Sequence, residues 1–279
     1  LTPAPSDGSN EHVMIADLGD AAAVAELVER GPEVVFHLAG VVSGEAEADF
    51  DKGMRVNLDG TRALFDALRV SSASPRVVFT SSIAVFGAPF PDAIDDDFHL
   101  TPLTSYGMQK MVAEALLADY SRRGFFDGVG IRLPTITVRP GAPNAAASGF
   151  FSSIIREPLA GKQAQLPVSR EVRHPHASPR SAVGYLVHAA EIDTRALGPR
   201  RNLTMPSVSA TVGEQLDALE RVAGRSATDL VVEVEDDAVA AIVSGWPRRF
   251  VTSRADELGF ACEATFDEIV QAYIAEDLG

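Results

Sequence analysis

Tyr106 and Lys110 stand four residues apart in Tyr-Gly-Met-Gln-Lys, ahead of a helix-like run from Met111 to Leu117. On a helix that spacing puts a phenol and an ammonium on one face, one turn apart. A free phenol, with a pKa near ~10, is a poor base at neutral pH. A fixed ammonium beside it favours the phenolate and lowers that value, which suits a proton acceptor for a hydroxyl substrate. Taken alone, Tyr-x-x-x-Lys reads as well as a surface pair. The surrounding chain raises the catalytic reading.

Those side chains need elements to position them. Val13 to Ile15 reads as a short strand ending at Ala16-Asp17-Leu18, and Asp20 starts a helix through Arg30 that Gly31-Pro32 stops. Val34 to Leu38 is a continuous apolar run, as expected of a strand buried on both faces of a parallel sheet. Ala39-Gly40 then closes it with small residues, where a ligand can approach the backbone. Phe50 to Leu68 reads as one long helix containing Asn57. Arg76 to Thr80 is the next buried strand and runs into Ser81-Ser82; Val129 to Leu133 is another. Strands alternating with helices predict an α/β, Rossmann-like, doubly wound parallel sheet. Ligands of such sheets lie beyond the carboxyl ends of the strands, where Asp17, Ala39, Ser82 and Pro134 all fall.

After Pro140 the texture changes to a small-residue loop, Gly141 to Gly149, then short strands and helices. Residues 1–140 are expected to form a dinucleotide-binding domain and 141–279 mainly a smaller α/β substrate-binding lobe, with later segments crossing back. A dinucleotide fold opens with a Gly-rich strand–turn–helix unit. No such run occurs here, so the expectation is that this βαβ unit is missing from the sequence and that a longer protein carries it.

The formal charge of the 279 residues is -15 and 46% of them are hydrophobic. That balance supports a sizeable core and argues against general binding to nucleic acid or an anionic membrane. It leaves room for an anionic substrate held by local arginines. Cys262 is the only cysteine, which excludes an internal disulfide and suggests a reducing compartment. No apolar run reaches the ~20 residues of a membrane span. A cytoplasmic protein is expected.

Together these segments resemble the extended short-chain dehydrogenase/reductase family, also described as the NAD-dependent epimerase/dehydratase family. The resemblance rests on Ala16-Asp17-Leu18, His37-Leu38-Ala39-Gly40, Arg55 to Thr61 with its Asn57, Ser81 to Gly87, and Tyr106 to Lys110, in that order. It implies NAD as cofactor, bound at Asp17, Leu18, Leu38, Ala39, Gly40, Asn57, Thr80, Tyr106, Lys110 and Pro134. It also implies Tyr106 as base, Lys110 as its support and ribose contact, and Ser82 as hydrogen-bond partner of the reacting oxygen. A homodimer paired through Phe50 to Leu68 and Met111 to Tyr120 is a further implication.

The substrate reading turns on Arg132-Leu133-Pro134-Thr135-Ile136. Many family members that act on nucleotide sugars carry an asparagine where Thr135 stands, and Pro134 resembles members that oxidise small hydroxy compounds. Val41 to Glu47, Arg132 to Asn144 and Ile155 to Gly161 resemble a narrower branch that oxidises the four-carbon sugar acid D-erythronate at C2 with NAD. Ala142 departs from that branch, which has a lysine there. A small-molecule sugar acid is therefore the expected substrate, a nucleotide sugar the alternative, and a non-catalytic dinucleotide-binding regulator a remote one. The implied substrate contacts are Ser43, Ser82, Thr135, Arg139, Asn144 and Arg173. A carboxylate calls for arginine, which pairs bidentately; Arg139 and Arg173 are the candidates, although Arg139 reads equally well as a brace between lobes. Arg132 reads as a scaffold ion pair, His37 as a core residue and Trp246 as lobe packing. His174 and His176 share a strand face without a third residue at metal-ligand spacing.

Overall fold

The computed structural model describes residues 13–71, 73–141 and 147–278. Helix α1 (Ala21–Glu29) begins where the Asp20 carboxylate accepts from the amides of Ala22 and Ala23 at 3.0 and 3.4 Å, an N-cap that satisfies two otherwise orphaned donors. Strand β1 (Val34–His37) leads to α2 (Ser43–Ala48), α3 (Phe50–Gly53), a π-helical run Met54–Asp59, and α4 (Gly60–Val70). Strand β2 (Arg76–Ser82), α5 (Ser105–Arg122) and β3 (Asp127–Leu133) complete the first half.

The second half holds β4 (Thr135–Ile136), α6 (Gly149–Leu159), β5 (Ala164–Leu166), β6 (Arg173–Ala177) and α7 (Pro179–Glu191). Strands β7 (Asn202–Thr204) and β8 (Val208–Thr211) follow, then α8 (Val212–Ala223), α9 (Arg225–Thr228) and β9 (Val231–Glu233). Helices α10 (Asp237–Ser244), α11 (Ser253–Glu257) and α12 (Phe266–Asp277) end the described chain.

Strands β1-β2-β3-β7 form one all-parallel sheet, so β7 returns from the second half to pair with β3. Alternate residues of β2 enter different cores. Val77 and Phe79 pack with Phe65 and Leu68 of α4 and Leu117 of α5; Val78 packs with Ile131 and with Tyr185 of α7. Burial on both faces explains the unbroken apolar run, and each such side chain contributes roughly 1.5–3 kcal/mol. Strands β4-β6-β8 form a second, mixed sheet, and β5 pairs with β9. A separate core of Phe151, Ile154, Leu216, Leu219, Ile269 and Tyr273 joins α6, α8 and α12.

Three expectations are corrected. Val13 to Ile15 is not a strand, and Val13 and Ile15 are 58% and 73% exposed. A strand needs a ladder partner, and this segment has none among the described residues. Strand β1 is not buried on both faces: Val34, Phe36 and Leu38 are 37, 45 and 54% exposed. Among the described residues it pairs with β2 alone and forms the sheet's edge. The long helix from Phe50 is interrupted by the π-helical run, where Thr61 Oγ1 donates to the Asn57 carbonyl at 2.7 Å.

His37, His174 and His176 are folded into the interior. Burial brings His37 down to about 4, helped by the Lys110 charge, and His174 down to about 3. Burial, with His174 beside it, holds His176 well below its ordinary value. The unfolded chain takes up these protons first, near pH ~6.5. The stabilisation is therefore complete above that pH and drains as pH falls toward the folded values, by up to ~1.4 kcal/mol per histidine per pH unit. Urea unfolding at pH 5.0 is expected to show a clearly lower midpoint than at pH 7.5; equal midpoints would contradict neutral buried rings.

Candidate active site

Strand β2 delivers Ser82 at its carboxyl end in extended conformation. Its Oγ accepts from the Ala84 amide at 3.1 Å and caps a short 3-10 turn, Ile83–Val85. Helix α5 starts opposite, capped by Thr104, whose Oγ1 accepts from the Gly107 amide at 3.0 Å. Gly107 presses on the 3-10 turn: a Cβ there would lie 2.1 Å from the Ala84 carbonyl oxygen. Only glycine permits that approach, and it sets the start of α5 against the end of β2, where the Ser82 hydroxyl opposes part of the effect of burial on the Tyr106 phenol.

One turn on, Lys110 Nζ donates to the Thr80 carbonyl at 2.8 Å and lies 5.8 Å from the Tyr106 ring centroid and 4.9 Å from that of Phe79. The expectation that the lysine lowers the tyrosine pKa is corrected. Burial raises Tyr106 above its ordinary value, and Ser82 opposes this only in part. Burial also brings Lys110 down to about 8, with Glu114 pulling the other way. At neutral pH the phenol is therefore neutral and the amine charged.

The strand-end loop after β1 is tied to this pair. Asn57 Oδ1 accepts from the Val41 amide at 2.9 Å, and its Nδ2 donates to the Val41 carbonyl at 3.2 Å and to Gln109 Oε1 at 2.8 Å. Thr80 Oγ1 donates to the His37 carbonyl at 3.1 Å. A Cβ on Gly40 would sit 3.0 Å from Asn57 Oδ1 and 3.7 Å from Lys110 Nζ. Leu38, Ala39 and Gly40 are exposed and form an open shelf with the ammonium at its back. Room, small residues and a fixed positive donor fit the ribose and nicotinamide of a dinucleotide.

The structure thus brings together Ser82, Tyr106, Lys110, Thr80, Asn57 and Gly40. Pro134 follows Leu133, the Cα partner of Ser82, and shares the same mouth. Asp17 is exposed and caps a local turn through the Gly19 amide at 2.9 Å, while Leu18 packs on Gly60. Ser43 opens α2 and is partly buried. Thr135 Oγ1 lies 2.7 Å from His174 Nε2. The Arg139 amide donates to Ser152 Oγ at 3.1 Å, and burial with Arg156 nearby lowers its guanidinium pKa. Arg173 is engaged elsewhere, with the Ser209 carbonyl at 2.9 Å and Glu214 at 3.1 Å. Asn144 and Ala142 lie outside the described residues.

The partner that Arg132 takes was not foreseen. Glu114 is almost completely buried, accepts the Ser81 hydroxyl at 2.5 Å and receives the Arg132 fork, Nε at 2.9 Å and Nη2 at 2.7 Å. This joins α5, β2 and β3 directly behind Ser82. The signal for it was present: Tyr106, Lys110 and Glu114 are spaced by four and share a helix face. No group of three or more His, Cys, Asp or Glu residues among the described residues could hold a metal ion.

Residues 2–191 match the NAD dependent epimerase/dehydratase family. D-erythronate dehydrogenase of Cupriavidus necator is 48% identical over 279 residues, all of this chain and 86% of that protein. D-erythronate dehydrogenase of Haemophilus influenzae is 39% identical over 253 residues, 91% of this chain and 80% of that protein. The crystal structure of the nucleoside-diphosphate-sugar epimerase from Agrobacterium tumefaciens is 58% identical, with a TM-score of 0.96 over 99% of this chain and 83% of that one. The GalE-like L-threonine dehydrogenase from Cupriavidus necator, at 21% identity and a TM-score of 0.86 over 98% of this chain and 88% of that one, shares the fold.

Gly107→Ala should push the start of α5 off the 3-10 turn and part Tyr106 from Ser82. Turnover is expected to fall at least tenfold, together with a lowered melting temperature. Gly184→Ala on α7, where an added Cβ meets nothing within 4 Å, should change neither. Full activity in Gly107→Ala would refute the close approach.

Proposed function

The chain belongs to the NAD dependent epimerase/dehydratase family, and from that premise we propose that it is an NAD-dependent dehydrogenase oxidising a secondary hydroxyl of a small sugar acid, D-erythronate or a close analogue, at C2. The observation that carries this reading is the meeting of Ser82, Tyr106 and Lys110 at the carboxyl edge of the sheet, beside the open shelf of Leu38 to Gly40. The choice of substrate is supported by the two D-erythronate dehydrogenases that resemble nearly the whole chain.

A bound nicotinamide dinucleotide supplies the hydride acceptor. Ala39, Gly40, Asn57 and Lys110 would hold its nicotinamide half; Asp17 and Leu18 are assigned to the adenine side by the resemblance. The chain's own work is protonic. Tyr106 Oη takes the substrate hydroxyl proton in oxidation and returns it in reduction, and Ser82 Oγ hydrogen-bonds the reacting oxygen. Lys110, held by Thr80, keeps positive charge near the phenol as it ionises. For the substrate carboxylate Arg139 is the better candidate, because Arg173 would have to leave Glu214. Arg156, beside Arg139, is itself paired with Glu157 at 2.6 Å and donates to the Arg139 carbonyl at 2.8 Å.

Residues 1–140 would carry the dinucleotide and 141–279 mainly the substrate; the return of β7 to the main sheet supports a segment that crosses back. A cytoplasmic homodimer is part of the same reading. Its contact would use α4 and α5, which are joined by Tyr120 Oη donating to Asp66 at 2.8 Å. No helix among the described residues is long and apolar enough to cross a membrane. Nucleoside-diphosphate-sugar epimerisation is the second reading, supported by the Agrobacterium structure.

Full-length protein with NAD and D-erythronate is expected to raise absorbance near 340 nm. Conversion of a UDP-hexose with no erythronate signal would favour the epimerase, and NAD binding without turnover of either would favour a regulator. Tyr106→Phe should cut turnover by roughly 10²–10⁴-fold while cofactor affinity survives. Because burial keeps the Tyr106 proton on at neutral pH, only the minor deprotonated form serves oxidation. Oxidation kcat/KM should therefore climb about tenfold per unit from pH 6 to 7.5, and a flat profile there would remove Tyr106 from the base role.

A further inference from the structure

Strands β4 and β6 run side by side in parallel, with Thr135 opposite His176 and Ile136 opposite Ala177. Thr135 Oγ1 lies 2.7 Å from His174 Nε2, one alternation earlier on β6. The His174 ring is sealed from water. It stacks flat on Phe151, with centroids 5.1 Å apart and planes 3° from parallel, and Trp246 lies 5.2 Å away at 44°. Its Nδ1 is 3.2 Å from the Pro247 carbonyl oxygen.

These contacts decide where the protons are. A carbonyl oxygen only accepts, so the hydrogen sits on Nδ1. Burial holds the ring neutral, with a pKa of about 3, and a neutral ring protonated at Nδ1 has a bare lone pair at Nε2. Thr135 has one O–H, and it points into that lone pair. Two oxygen lone pairs are left for anything in front of Thr135.

Thr135 is partly exposed and stands two residues beyond Leu133, whose Cα partner is Ser82. Its backbone therefore lies just past the end of β3, the strand beside Ser82. We propose that His174 is a positioning residue that fixes Thr135 as an acceptor-only contact, so that the site selects a substrate carrying a hydroxyl donor beside the carbon being oxidised. This rests on the sugar-acid reading and adds the source of its selectivity. A site built to bond a hydroxyl rejects the analogue without it strongly, because the protein's own polar atom is then left unpaired.

Two measurements test it. In the ¹⁵N-histidine spectrum of the full-length protein at pH 7.5, assigned with His174→Phe, His174 should show Nδ1 protonated and Nε2 bare. A proton on Nε2, or a charged ring, overturns the proposal whatever the substrate proves to be. In kinetics with NAD, Thr135→Val should raise KM for D-erythronate at least tenfold while kcat changes less than threefold. The same variant should leave kcat/KM for 2-hydroxybutanoate, which lacks the neighbouring hydroxyls, at its low wild-type value. The double variant Thr135→Val/His174→Phe should be no worse in KM than Thr135→Val alone. Equal losses on both substrates, no loss on either, or additive losses in the double variant would overturn the proposal. A wild-type enzyme inert toward D-erythronate would instead sink the sugar-acid reading, and the nitrogen spectrum would still decide the polarity of Thr135.

Discussion

An ammonium ion at the end of a parallel sheet has lost most of its water, and the protein must replace that solvation. Lys110 obtains it from the Thr80 carbonyl, with Glu114 one turn away supplying the opposing charge. Burial without such partners would drive the amine to its neutral form. Much of the local architecture follows from this demand. Strand β2 has to end where its last carbonyls face α5, and α5 has to lie against the strand end. The shelf after β1 has to reach over the lysine without a side chain, which Gly40 allows. Glu114 is itself buried and is paired with the Arg132 fork and the Ser81 hydroxyl. A single charge thereby ties the centre of the sheet to one helix through two strands.

The second half uses neutral polarity where the first uses charge. His174 and His176 are enclosed by Phe151, Trp246 and Phe266, and each ring nitrogen has a defined partner: Thr135 and the Pro247 carbonyl for one, Thr137 and Gln215 for the other. Neutral imidazoles can be buried at modest cost when both nitrogens are bonded. They also orient threonine hydroxyls, whose hydrogen positions would otherwise be free to rotate. Thr137 is thereby held in the interior, while Thr135 remains partly exposed beyond the end of β3.

What could be read from the residues depended on how local the controlling physics was. Strands β2 and β3 and helix α5 were legible because apolar periodicity and capping residues act within a few positions. The convergence of Ser82, Tyr106 and Lys110 was legible because strand ends in doubly wound sheets share one edge. The exposure of β1 was not, because a continuous apolar run looks the same whether its second neighbour is present or absent. The raised pKa of Tyr106 was also hidden. Spacing along a helix reports that an ammonium is near; it does not report that the ammonium points at a backbone carbonyl while the phenol loses its water. The engagement of Arg173 by Glu214 depends on a pairing 41 residues apart in the chain, beyond the reach of any local pattern.

The π-helical run Met54–Asp59 has a geometric result for everything downstream of it. Its wider turn holds one residue more than an α-turn would, and Asn57, which bonds the Val41 amide on the shelf, lies within it. Deleting a residue there would straighten the rod and rotate α4 by about 100° around its axis. Leu64 and Leu68 would swing off the core face, and Arg62, Asp66 and Arg69 would come round into the places of Thr61, Phe65 and Leu68. The segment therefore tolerates exchange of side chains more readily than any change in length, and the phase of a distant hydrophobic stripe is set by a single surplus peptide unit.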